Sequence, residues 1–156
     1  MNKRRKALLI NIAIPLAAGA AAAFLSREAM LLFDSIRKPP LSPPGWVFPV
    51  VWTLLYLLMG IASYIVTTAD IPHRDKKRAL AVYAAQLIFN FVWPILFFRY
   101  RLFTPAFAWL AALWVLIFIT VLRFDRISSA AGNLLVPYLV WVAYAGYLNL
   151  AISILN

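Results

Sequence analysis

Three apolar segments carry the side chains able to do chemistry, and each sets them on one helix face. Trp52, Tyr56, Met59 and Ser63 recur at steps of four, three and four. Gln86, Asn90, Trp93 and Phe97 align in the same way, and Pro94 is expected to kink that helix and free a backbone carbonyl. Tyr138, Trp141, Ala145, Leu148 and Asn149 form a third face. These faces offer indoles, phenols and amides, with no carboxylate, amine, guanidinium or imidazole among them.

Two readings of such faces stay open. An amide in hydrocarbon needs a partner, so Gln86, Asn90 and Asn149 should point inward. They then tie helices together, each interhelical hydrogen bond being worth roughly 0.6 to 2 kcal/mol. Alternatively the faces meet in a pocket walled by Trp52, Trp93 and Trp141 with small residues at its floor. Flat aromatic walls with few polar anchors suit a large planar apolar ligand such as a tetrapyrrole or a sterol. Trp46, Tyr100 and Tyr138, near segment ends, are expected to belong to the interfacial aromatic belt.

Other chemistry is poorly supplied. The chain has no cysteine, which removes disulfides, iron-sulfur clusters, thiolate metal sites and cysteine nucleophiles. The 5 glycines are too dispersed for a dinucleotide fingerprint or a phosphate-binding loop. Ion and proton transporters mark their paths with intramembrane ionisable groups, and the apolar segments have none. His73, the only histidine, falls in the loop after the second segment, so no metal site is expected.

The elements that position these faces follow from charge distribution. Of 156 residues, 65% are hydrophobic and 13% charged, against about 45 to 50% apolar and 25% charged in soluble domains. Charge is absent from 7–25, 46–69, 79–98, 102–122 and 133–155. Each stretch meets the roughly 20 residues that a helix needs to cross about 30 Å of hydrocarbon. The expected fold is an all-α membrane protein, a five-transmembrane-helix bundle in a single domain over residues 1–156. The net charge of +10 is read as lipid-headgroup anchoring, with no nucleic-acid partner. Lys and Arg number ten on the amino-terminal side and five on the other, placing the amino terminus in the cytoplasm and Asn156 outside. The first segment also resembles a secretory signal, but its 19 uncharged residues exceed the usual apolar run of 7 to 15, so it is expected to be retained.

Spans three and four, joined through Arg99, Tyr100 and Arg101, must be antiparallel neighbours. The first loop, 26–45, is longer. It holds an amphipathic piece with Met30, Leu31, Leu32, Phe33 and Ile36, then a proline-rich run from Lys38 to Gly45 that forbids a helix. It reads either as a stiff lid over one membrane face or as a stop that keeps the second span from extending into water.

The run Lys38-Pro39-Pro40-Leu41-Ser42-Pro43-Pro44-Gly45-Trp46, continuing to Trp52, is one of three motifs that resemble a known family. The others are Tyr83-Ala84-Ala85-Gln86 through Asn90 to Trp93-Pro94, and Val136-Pro137-Tyr138-Leu139-Val140-Trp141 with Leu148-Asn149. In that order they resemble the tryptophan-rich sensory protein and mitochondrial translocator protein family. The resemblance covers all five spans. It implies a five-helix bundle that often forms a homodimer, with a pocket under the first loop that binds porphyrins and benzodiazepine-site drugs, and sterols in animal members. For this chain it implies a protein of a bacterial cell membrane, with protoporphyrin or haem as candidate ligand and no required cofactor.

By motif position the resemblance carries over Trp52, Asn90, Trp93, Trp141, Ala145 and Leu148 as pocket residues; Phe33, Tyr56 and Gln86 join them from the lid and the aligned faces. Trp52 and Trp141 match positions proposed in some bacterial members to support light- and oxygen-dependent breakdown of protoporphyrin. The expected function is therefore a receptor or carrier of planar apolar ligands, with photo-oxidative porphyrin degradation and a purely structural role as alternatives. Two departures stand out. The family's Trp-Tyr pair before the Lys-Pro step reads Leu32-Phe33 here, and the animal sterol motif is incomplete, with Leu150 after Leu148-Asn149 and no basic residue beyond Arg126.

Overall fold

A computed structural model describes residues 2–156, and at position 30 the backbone alone. Its helices are α1 (Lys3–Leu25), α2 (Ala29–Ser35), α3 (Val47–Thr68), α4 (His73–Pro94), α5 (Phe103–Asp125) and α6 (Ser129–Leu155). A π-helical turn, Ile95–Arg99, continues α4. Five helices are long and apolar enough to cross a membrane, namely α1, α3, α4 with its π turn, α5 and α6. No strand occurs among the described residues. In hydrocarbon every backbone group must be satisfied within its own segment, and the helix does this.

The helices outrun the uncharged stretches mainly at one end of the bundle, where α1 and α4 begin in Lys3 and His73 and α5 ends at Asp125. Hydropathy marks the apolar slab, whereas Lys and Arg are good helix formers and let the helix continue into the basic segments. The kink expected at Pro94 takes the form of the π turn. Proline has no N–H to donate to the carbonyl four residues back. The ladder resumes with a longer step, Tyr100 N donating to Ile95 O at 3.1 Å.

Around the bundle the order is α1, α3, α6, α5 and α4, with α4 closing against α1 and α3. The antiparallel α4–α5 pair is thus present as expected. Small residues set the closest approach of α1 and α3: a Cβ on Gly60 would lie 2.6 Å from Ile12 Cα. A polar clasp adds to it, since Asn11 Oδ1 accepts from Ser63 Oγ at 2.9 Å and from Thr67 Oγ1 at 3.2 Å. The outward faces are apolar, with Leu9, Ile14, Leu54, Ile88 and Val140 exposed, as a lipid-facing surface requires.

The segment 36–46 is free of helix, as its prolines dictate. It is bonded to the end of α6. Tyr144 Oη donates to Leu41 O at 2.6 Å and Tyr147 Oη to Pro40 O at 2.9 Å. Asn156 exchanges two bonds with the Arg37 backbone, at 3.0 and 3.1 Å. Leu41 takes a left-handed φ of 67° within this strap.

Candidate functional site

Beneath α2 lies a cavity of about 260 Å3. Helix α1 gives it a floor of small side chains, Gly19, Ala22 and Ala23, with Ser26 and Arg27 at its end. Helix α3 contributes Phe48, Pro49, Trp52 and Tyr56, and α4 contributes Asn90, Trp93 and Pro94; Phe33 of α2 and Phe98 of the π turn complete the wall. Gly19 is required here, because the Tyr56 ring occupies the space a Cβ would need.

The aromatic wall is ordered by ring geometry. Trp52 stacks on Tyr56 at 5.7 Å and meets Tyr138 edge-on at 6.2 Å. Phe33 packs edge-on against Phe48 at 5.1 Å, which seats α2 over the cavity. Trp93 lies 5.5 Å from Phe97 and 6.0 Å from Phe98. Lys38 Nζ caps the Phe33 ring at 4.8 Å and pairs with Asp34 at 3.7 Å.

Behind the wall runs a hydrogen-bonded chain across three helices. Tyr56 Oη donates to Asn90 Oδ1 at 2.7 Å, Asn90 Nδ2 donates to Tyr138 Oη at 2.8 Å, and Tyr138 Oη donates to Gln86 Oε1 at 2.7 Å. Gln86 Nε2 ends the chain 3.9 Å from the Met59 sulfur. A second chain joins α4, α6 and α5: Trp93 Nε1 donates to Asn149 Oδ1 at 3.0 Å, and Asn149 Nδ2 donates to Phe103 O at 2.7 Å. The amides therefore tie helices together, and the aromatic faces that they orient line the cavity. All three amides tie helices, Asn90 lines the cavity as well, and of the three tryptophans expected as walls Trp52 and Trp93 line it.

Phe33, Trp52, Tyr56, Asn90 and Trp93, expected at the site, line the cavity. Ala145 and Leu148 instead line a side pocket of about 20 Å3, walled also by Phe33, Phe48 and Trp93. Gln86 is 1% exposed and stands behind Tyr138, its amide oxygen engaged there. Trp141 is absent from both linings. It packs edge-on against Phe48 at 6.0 Å, and its buried indole nitrogen has no hydrogen-bond partner among the described residues. Tyr138 corrects the belt assignment, being 1% exposed and central to the polar chain, whereas Trp46 and Tyr100 are exposed at 67% and 59%.

Sequence reasoning passed over Asn11 as a helix tie, although an amide in the first span was a visible signal. It also left Ser26 and Arg27 without a role. Two further tryptophans serve packing: Trp109 Nε1 donates to Phe89 O at 2.9 Å and Trp114 Nε1 to Leu139 O at 3.2 Å.

Known proteins share this arrangement of sequence. The model of the TspO/MBR family matches residues 11–155. The tryptophan-rich protein TspO of Chlorobaculum tepidum is 36% identical over 100% of this chain and 99% of its own length. The tryptophan-rich sensory protein of Cereibacter sphaeroides is 39% identical over 80% of this chain and 76% of its own. The human translocator protein is 33% identical over 81% and 75%. With five membrane-crossing helices and a match over nearly its whole length, the chain is an integral membrane protein and belongs to the TspO/MBR family.

Proposed function

We propose that this protein binds porphyrins and related planar apolar ligands in the aromatic cavity, as a membrane receptor or carrier in tetrapyrrole or stress regulation. The stacked Trp52–Tyr56 pair facing Trp93 across a small-residue floor carries this reading. Indole and phenol faces bind flat rings by dispersion and offset stacking, and the cavity is walled by helices of a membrane bundle, into which such a ligand partitions. The reading includes a bacterial cell membrane, a cytoplasmic amino terminus and a homodimer; crosslinking in membranes checks the last.

Titration with metal-free protoporphyrin in the dark is the test. Tryptophan fluorescence should quench saturably, and Trp52→Ala should weaken the quench. Unsaturable quenching, identical in wild type and variant, rejects the reading.

A second reading, light- and oxygen-dependent breakdown of the bound porphyrin, is favoured by the contact of Trp52 with both Tyr56 and Tyr138. An indole at the ligand's edge in contact with hydrogen-bonded phenols is a route for electron exchange with an excited ring. Illuminated, aerobic protein should then bleach protoporphyrin faster than detergent alone, and Trp52→Phe and Trp141→Phe should slow it. Equal rates eliminate this reading.

A further inference from the structure

We infer that the mouth of the cavity is an anion subsite: the aromatic chamber holds the flat body of an amphipathic ligand, and an adjoining polar chamber takes its carboxylate. The inference rests on the porphyrin reading and specifies which part of the ligand goes where.

The polar chamber, about 230 Å3, has a mostly polar lining and shares Ser26, Arg27, Ala29 and Phe98 with the aromatic cavity. Arg99 and Glu28 line the polar chamber alone. The two spaces are thus neighbours of opposite character, meeting at the end of α1. Each is smaller than the roughly 300 to 1,000 Å3 of ordinary ligand pockets. A tetrapyrrole-sized molecule would occupy both.

Ser26 stands at the junction. The residue is 5% exposed, and its Oγ is buried without a hydrogen-bond partner among the described residues. A buried hydroxyl is ordinarily satisfied, so this one is a donor held for something that enters. The charges beside it are also unspent. Among the described residues the one ion pair is Lys38–Asp34, so neither Arg27 nor Arg99 holds a carboxylate. Their guanidiniums rest on the rings of Phe24 at 5.5 Å and Tyr100 at 5.9 Å.

Two guanidiniums against the single carboxylate of Glu28 leave the chamber net positive. The carbonyl ends of α1 and the π turn, which bring partial negative charge to this end of the bundle, are offset by the same arginines. A guanidinium fork with a neighbouring hydroxyl matches the planar acceptor geometry of a carboxylate. The ligand class is therefore a flat apolar ring system with an acidic side arm, and a porphyrin bearing propionates has that form.

The test compares protoporphyrin with its dimethyl ester, in the dark, using the full chain in phosphatidylcholine nanodiscs. The ester keeps the ring and loses the charge. Wild type should bind the acid about tenfold to a hundredfold more tightly than the ester, the range expected of a charged hydrogen bond. The ratio should fall toward one in Arg27→Gln and separately in Arg99→Gln. Thermal melting of each variant in the same nanodiscs verifies folding, and either folded variant suffices.

Equal affinity of acid and ester in wild type overturns the anion subsite and leaves the porphyrin reading standing. Preference retained in both arginine variants overturns it equally. Loss of the preference when phosphatidylglycerol replaces phosphatidylcholine assigns the anion to a lipid headgroup and overturns the assignment to the ligand. Failure of both compounds to bind rejects the porphyrin reading itself.

Discussion

The phenol of Tyr56 donates to Oδ1 of Asn90 across 2.7 Å, joining α3 to α4 at the wall of the cavity. The amide of Asn90 uses its other end on Tyr138, so one residue of α4 holds two neighbouring helices. Tyr56→Phe keeps the ring that stacks on Trp52 and deletes the first bond alone. It should cost roughly 0.6 to 2 kcal/mol, read as a lower melting temperature. Asn90→Leu removes both bonds and should cost more than Tyr56→Phe. Equal melting of both variants and wild type would show that the chain contributes no stability.

What the sequence makes legible is what periodicity can carry. Spacing alone placed Trp52 beside Tyr56 and Asn90 beside Trp93, because neighbours on one helix are fixed by 3.6 residues per turn. Which amide meets which phenol depends on the rotation of each helix against the others, and no single-helix pattern contains that. Gln86 was accordingly grouped with the cavity, although it lies a layer behind it. Tyr138 reads as interfacial from its distance to the end of the uncharged stretch, but α6 begins at Ser129 and sets it deeper in the bundle. The proline run in 38–45 was readable as non-helical, but its bonds to Tyr144 and Tyr147 span more than a hundred residues of sequence.

Gly60 and Gly146 are both helical, yet their surroundings differ. A methyl group at Gly60 meets the backbone of α1, with Ile12 Cα at 2.6 Å and Asn11 O at 3.0 Å. Backbone cannot rotate away, so Gly60→Ala should separate α1 from α3 and cost about 1 to 3 kcal/mol. At Gly146 nothing lies within 4 Å of the added carbon. Gly146→Ala should leave stability unchanged or raise it by about 0.5 to 1 kcal/mol through backbone entropy. Parallel thermal melts in one detergent measure both, and the sign of the difference is the check.

Asn149 accepts from the Trp93 indole and donates to the Phe103 carbonyl, linking three helices with one side chain that is 1% exposed. Asn149→Leu fills similar volume and strands the indole donor, while the Phe103 carbonyl, at the start of α5, keeps its place in the helical ladder. One buried donor left without a partner should cost about 1 to 3 kcal/mol. Asn149→Asp retains acceptor oxygens but places a carboxylate in the bundle, and it should be at least as damaging. Expression level and melting temperature report the loss. The Trp93 emission should shift in Asn149→Leu, since its N–H then lacks an acceptor.

The strap is tied to α6, which meets the cavity wall where Trp141 packs against Phe48. Tyr144 and Tyr147 hold the carbonyls of Leu41 and Pro40, while α2 is seated by Phe33 against Phe48. Prolines cannot form helix or sheet bonds of their own through nitrogen, so these phenols and Asn156 supply the strap's hydrogen bonds to the bundle, beside the packing of Ile36 against the core. Removing both hydroxyls as Tyr144→Phe with Tyr147→Phe keeps the rings and costs two solvent-facing bonds, each about 0.5 to 1.5 kcal/mol. On the reading of the strap as a lid, that loss falls on its closed form. A cavity ligand would then escape through the opened lid, and its dissociation should quicken by about fivefold to a hundredfold, with association changed less. Stopped-flow release of protoporphyrin reads the rate directly. An unchanged rate would mean that the ligand leaves between the helices, through the lipid-facing wall, and that the strap does not gate the cavity.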